Sequence, residues 1–207
     1  MTSSRPDRAA RQNERPAEIL RAAERLFAQK GYHATTMREV ATAAGVGLSL
    51  VVYHFKSKDA LYYAIFERRQ YVNEERLKRL ESVDLVGPAA LEAIIDAFIE
   101  PVLALHESPD DIWYARLVFR EAADPSSQER SVISVLFDPM ARAFIAALEQ
   151  ALPGKRPGFY PWAYLFSVGA LTQSSFDDRI GNLVTAPAFD QKNEVLRSYI
   201  RAALAYG

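Results

Sequence analysis

The sequence predicts an all-α protein, with a small N-terminal helix-turn-helix unit ahead of a larger helical body. Apolar residues recur at spacings of three and four in segment after segment, the repeat of a helix with one buried face. Glycine and proline clusters punctuate those segments, and no stretch sustains the apolar–polar alternation of a half-buried strand. Charge is divided as well. Residues 1–60 hold ten Lys/Arg against six Asp/Glu, whereas residues 61–207 hold fifteen against twenty, so a net charge of −1 conceals a basic front. A basic segment before an acidic body suits contact with a polyanion at one end, although offsets of this size also arise by chance.

Composition narrows the field. The chain has 207 residues, 49% hydrophobic and 25% charged, in the range of a globular protein able to bury a core. It has no cysteine, which excludes disulfides, thiolate metal sites and a cysteine nucleophile. His33, His54 and His106 are scattered without an H-x-x-x-H pair, so neither a metal nor a cofactor is expected. The N-terminus lacks the apolar core of a signal peptide, and no apolar run reaches membrane-spanning length. A cytoplasmic protein is expected.

Residues 1–15 are polar, carry Arg5, Arg8, Arg11 and Arg15, and read as a flexible basic arm. Its arginines serve solubility or reach into a minor groove. The next unit spans 16–60. Ile19, Ala22, Ala23, Leu26 and Phe27 share one helical face, with Pro16 suited to the first turn and Gly31 to the stop. Thr36 and Glu39 fit a capping box, and Gly45 suits the left-handed end of a short second helix. The run Leu50-Val51-Val52-Tyr53 resembles a buried strand in isolation, yet it is too short and begins too soon after Gly45. A helix starting near Gly47 turns Val46, Leu50 and Val51 inward and Leu48, Ser49, Val52, Tyr53 and His54 outward or to the rim. Two short helices joined by a glycine-containing turn form a helix-turn-helix, whose second helix enters the major groove. Tyr53, His54 and Lys58 then supply donors to phosphates.

The body, 61–207, continues a stripe from a Ser57 cap through Leu61, Ile65, Val72 and Leu77 to about Leu80. After Val86-Gly87-Pro88, residues 89–106 form a helix that Pro101 should kink. Further helices are predicted at about 110–122, 127–151, 159–181 and 189–206. Aromatic residues spread along them suit core packing, and their abundance near Pro101 also suits an apolar pocket. The candidate lining is Phe98, Trp113, Phe137, Phe144 and Phe166, with His106, Arg116 and Arg120 as inward polar groups. Arg120 could instead pair with Glu121 or Asp124. The last two long helices carry broad apolar faces, Leu165, Val168, Leu171 and Thr172 on one and Val195, Leu196 and Tyr199 on the other. They suit a two-fold four-helix interface or packing within the subunit.

The sequences Thr35-Thr36-Met37-Arg38-Glu39-Val40-Ala41, Ala44-Gly45-Val46 and Tyr53-His54-Phe55-Lys56-Ser57-Lys58, followed by Ala60-Leu61, resemble the signature of TetR-family transcriptional regulators. The likeness covers about residues 17–66. It implies a homodimer with a three-helix DNA-binding head and a helical body that holds an effector. By position it makes Thr36, Tyr53, His54 and Lys58 phosphate contacts and sets Arg38, Gly47, Leu48 and Ser49 at or beside bases. Gly47 and Val52 depart from the family's usual polar residues, which shifts readout toward thymine methyls, Arg38 and DNA shape. Residues 115–121 are similar to a branch that senses fatty-acyl or related hydrophobic compounds. The expectation is a ligand-responsive regulator, a repressor on a palindromic operator released by a small hydrophobic or aromatic effector. Two rivals remain: a helical enzyme using Asp177 and Asp178, which lacks a G-x-S-x-G or P-loop, and a helix-turn-helix used for protein contact.

Overall fold

A computed structural model describes residues 8–174, 180–183 and 191–207, and those residues are mostly helical with no strand among them. The chain divides into two compact units, Met1–Arg68 and Arg69–Gly207.

The first unit holds α1 (Arg8–Lys30), α2 (Met37–Ala43), α3 (Leu48–Phe55) and α4 (Lys58–Arg68). Helix α1 packs on α2, α3 and α4. The core between them comprises Ile19, Ala23, Phe27, Val40, Val51, Leu61, Tyr62, Ile65 and Phe66, all buried. Tyr62 is the hub, edge-on to Phe27 at 4.8 Å, Tyr32 at 5.0 Å and Phe66 at 5.1 Å between ring centres. Helix α1 begins at Arg8 rather than Pro16, so Pro16 stands inside the helix and residues 8–15 of the expected arm are helical. Residues 1–7 lie outside the described residues.

The second unit holds α5 (Tyr71–Glu81), α6 (Ala90–Leu103), α7 (Ile112–Ala123), α8 (Asp138–Ala151), α9 (Phe159–Gln173), the single turn α10 (Ile180–Leu183) and α11 (Lys192–Tyr206). Helix α6 lies at its centre, packed against α5, α8 and α11. Its Ile94, Ile95, Phe98 and Ile99 share a core with Phe144, Leu148, Tyr164, Leu171, Leu196 and Ile200.

Three expected elements are divided. The helix foreseen from Ser57 to Leu80 is two helices, α4 and α5, and the units part there rather than at residue 60. A part-buried ion pair accounts for the break: the Arg69 guanidinium binds Asp111 at 2.6 Å and the Tyr71 hydroxyl at 2.9 Å, which fixes Arg69 inside the second unit. The helix foreseen over 127–151 is a 3₁₀ turn at Pro125–Glu129, a π-helical turn at Ile133–Phe137 and then α8. Here Asp124 accepts from the Ser126 amide, while the buried Arg130 binds Glu121 and Asp124 at 2.7 Å each. Side chains thus hold the backbone away from a continuous α-helix. Helix α6 continues through the buried Pro101 and tightens into a 3₁₀ turn at Ala104–Glu107. The last helices are shorter than foreseen, α9 ending at Gln173 and α11 starting at Lys192.

Candidate functional site

In the first unit, the turn between α2 and α3 is closed by backbone chemistry. The Val46 amide donates to the Ala41 carbonyl at 2.9 Å and the Gly45 amide to the Thr42 carbonyl at 3.1 Å. Gly45 takes φ +65°, which a side chain would disfavour. The front of α2 has the capping box read from sequence: the Thr36 hydroxyl accepts from the Glu39 amide at 3.2 Å, and Glu39 accepts from the Thr36 amide at 2.8 Å. Lys30 joins at 2.8 Å and, with the Thr36 bonds, pulls the Glu39 carboxyl down to about 2.

Helix α3 buries Val51 completely and leaves Leu48, Ser49, Val52 and Tyr53 exposed, with His54 at the rim. Tyr53 is 69% exposed, so its ring and hydroxyl are open to a partner. Arg38 on α2 is exposed as well. Gly47 caps α3 with φ −71°, and an added Cβ would meet nothing nearer than the Ser49 hydroxyl at 3.6 Å. The backbone therefore makes no demand for glycine at this position. Helix α3 ends in a tight γ-turn: the Ser57 amide donates to the Phe55 carbonyl across Lys56, which sits at φ 62°. The Ser57 hydroxyl then caps α4, accepting from the Ala60 amide at 3.1 Å.

Lys58 has a second task that the sequence reading did not contain. Its ammonium donates to the Thr35 carbonyl at 3.0 Å and lies 4.2 Å from the centre of the Tyr32 ring, while Tyr32 donates to Asp59. These bonds clamp the α1–α2 loop onto α4. A lysine side chain in a signature motif is indistinguishable in sequence from a solvated one. The signal that could have exposed it is Tyr32 and Asp59, a donor and an acceptor beside two loop ends.

In the second unit, a cavity of about 230 Å³ is lined by residues of α5 to α9 and of the π-helical turn. Phe98 and Phe137, two of the expected lining residues, are on its wall, with Val102, Val118, Met140 and Tyr164. The other expected lining residues are placed elsewhere. Phe144 is buried core behind the wall. Trp113 is half-buried with the Arg116 guanidinium 5.3 Å from its ring centre. His106 lies in the 3₁₀ turn after α6, Arg120 is exposed, and Phe166 is 67% exposed on the outer side of α9. Glu121 and Asp124, the partners considered for Arg120, bind Arg130.

The cation that lines the cavity is Arg76 of α5, which the sequence reading passed over, with Asp138 of α8 on the same wall. Its guanidinium is 4.5 Å from the centre of the Phe98 ring and 5.4 Å from that of Phe144. Burial pushes it down to about 10. On a helix rich in Glu, Arg and Lys, one more arginine reads as surface. Its interruption of the Val72–Leu80 stripe was the available signal.

Helices α9 and α11 share an apolar outer face. Leu165, Val195 and Tyr199 are exposed, and Trp162 and Phe166 extend the patch, their rings 5.7 Å apart. Leu171 and Leu196 instead point into the core, and Val168 and Thr172 are half-buried on the cavity wall. A groove of about 420 Å³ opens on this face between Trp162, Phe166, Tyr199 and the 156–159 loop. Asp177 and Asp178 lie outside the described residues. No cluster of possible metal ligands occurs among the described residues, and no described helix is long and apolar enough to cross a membrane.

A helix-turn-helix with an exposed second helix, in a chain whose remainder is a separate helical unit with its own cavity, defines the class of helix-turn-helix transcription regulators. Residues 19–65 match the family model for bacterial regulatory proteins of the tetR family, and residues 96–205 match the tetracyclin repressor-like C-terminal domain. The chain belongs to the TetR family. Its members are regulators rather than enzymes. Similar curated proteins include the transcriptional repressor KstR2 of Rhodococcus jostii, 30% identical over 52% of this chain and 53% of its own length. The transcriptional activator FasR of Mycolicibacterium smegmatis is 43% identical over 27% of this chain and 26% of its own length. The chain thus spans about half the length of these relatives or less. The fold is similar to FadR of Bacillus subtilis, crystallised with stearoyl-CoA: TM-score 0.65 at 17% identity, covering 90% of this chain and 98% of that one. A TetR-like regulator from Rhodococcus sp. RHA1 gives TM-score 0.64 at 21% identity, covering 98% and 100%.

Proposed function

We propose that the protein is a ligand-responsive transcriptional repressor in the cytoplasm, binding a palindromic operator as a homodimer and leaving it when a small hydrophobic effector fills the body. The observation that carries this reading is α3: one buried residue fixes it to the head, and the rest of its length presents Leu48, Ser49, Val52 and Tyr53 to solvent. Arg38, Gly47, Leu48 and Ser49 face base edges, and Thr36, Tyr53 and His54 meet phosphates. Lys58 contributes by holding the loop that presents Thr36, and its charge adds to the attraction.

The outer face of α9 and α11 is the dimer interface. Helix α9 is apolar on all sides, and a helix of that kind needs cover on all sides. Trp162, Leu165, Phe166, Val195 and Tyr199 form the contact, and a two-fold axis there brings two heads onto successive half-sites. The cavity between α5 and α9 is the effector site. An effector changes DNA affinity only as far as it binds one arrangement of the dimer better than the other. A gel shift on the region upstream of the protein's own gene tests the reading. A shifted band lost when Tyr53 is replaced by Ala supports it, and no shift in dilute buffer refutes it.

A further inference from the structure

The effector cavity has a cation on its wall that the protein itself leaves without a counter-charge. Arg76 is 5% exposed, and its Nε has no hydrogen-bond partner among the described residues. It forms no ion pair there. Asp138, the carboxylate on the same wall, instead lies 3.7 Å from Arg142 one turn along α8. The rings of Phe98 and Phe144 lie against the guanidinium and stabilise it. A buried charge of this kind is destabilising unless paired, and a folded chain ordinarily gives it a carboxylate. The other buried arginines have one: Arg69 holds Asp111, and Arg130 holds Glu121 and Asp124.

Apart from Asp138, Ser127 and Thr172, the remaining wall is apolar, with Val102, Val118 and Met140 among its residues and the Tyr164 ring alongside. From the pairing of an unmatched fork of N–H donors with a small apolar chamber, we infer that the effector is a small hydrophobic carboxylic acid, its carboxylate bound by Arg76 and its body held in the cavity. This inference rests on the cavity being the effector site. A guanidinium presents parallel donors that fit a carboxylate in two bonds, which a hydroxyl or ester cannot match. The π-helical turn at Ile133–Phe137 supports the same assignment. Its five-residue bond, from the Asp138 amide to the Ile133 carbonyl, displaces the wall from helical register, a feature frequent at binding sites.

The test is calorimetric titration of the full chain at neutral pH with octanoate and with 1-octanol, for wild type, Arg76→Met and Arg76→Gln. Wild type should bind octanoate at least about tenfold more tightly than octanol, the scale of one charge-assisted hydrogen bond. Both variants should lose that preference and keep octanol. Without ligand, Arg76→Met should melt at or above the wild-type temperature, because an unpaired buried cation has become an apolar chain. Equal affinity of wild type for acid and alcohol, binding of neither, or a preference that survives in Arg76→Gln overturns the inference. A lower melting temperature in both variants overturns it too, by assigning the guanidinium to the core. No DNA enters these titrations, so a negative gel shift would sink the regulator reading while leaving this result to stand or fall separately.

Discussion

Glu39 shows how much one side chain can hold in the head. It accepts from Thr36 and from Lys30, and these bonds draw its carboxyl from 4.5 to about 2. A depressed acid contributes stability that is complete above its unfolded value and disappears as pH falls through its folded one. The head should therefore lose stability between about pH 4.5 and pH 2. Glu39→Gln should flatten that part of the profile in a pH series of thermal melts, and an unaltered profile would remove Glu39 from the account. Gly47 supplies a contrasting case. Its φ is ordinary and it has room for a side chain, so Gly47→Ser should leave the fold intact or stabilise it by roughly a few tenths of a kcal/mol through a better N-cap. If glycine is there to let DNA approach the backbone, the same change alters operator affinity; melting and anisotropy measurements on one sample separate the two effects.

At the scale of elements, legibility followed the range of the forces. The capping box, the Gly45 turn and the inward Val51 depend on residues within a few positions of each other, and the sequence stated them plainly. The division of the long helix at Arg69 and the reshaping of 125–137 depend on partners remote in sequence or on competing local bonds. Arg130 is the clearest instance. It falls in the stretch expected to be a continuous helix, yet it is buried with three bonds to Glu121 and a fourth to Asp124. Arg130→Met takes the guanidinium away from the buried Glu121 and should destabilise the second unit by about 3–5 kcal/mol. The double change Arg130→Met with Glu121→Met should recover much of that loss in denaturant titrations; no recovery would show that the pairing is not what the single change breaks.

Over the whole molecule, sequence periodicity distinguished helices from strands but not the two sides of an apolar helix. Helix α9 is apolar all round, so its outward Phe166 was assigned to the pocket and its inward Leu171 to the interface. The same ambiguity hid Trp162. An exposed apolar surface on two adjacent helices makes a definite demand on assembly. Phe166→Arg should yield monomers by sedimentation at micromolar concentration without lowering helical content, since the side chain lies outside the core. A dimer that survives the change would move the interface elsewhere.

The most direct test is the salt dependence of binding to a duplex from the gene's own upstream region, followed by fluorescence anisotropy on the full chain. A paired head reading phosphates through α2 and α3 predicts tight binding in dilute buffer, two chains per duplex, and a log–log slope of several units. It also predicts a smaller slope when Lys58 is neutralised. A chain that stays monomeric and leaves the duplex unbound at the lowest salt would contradict the account.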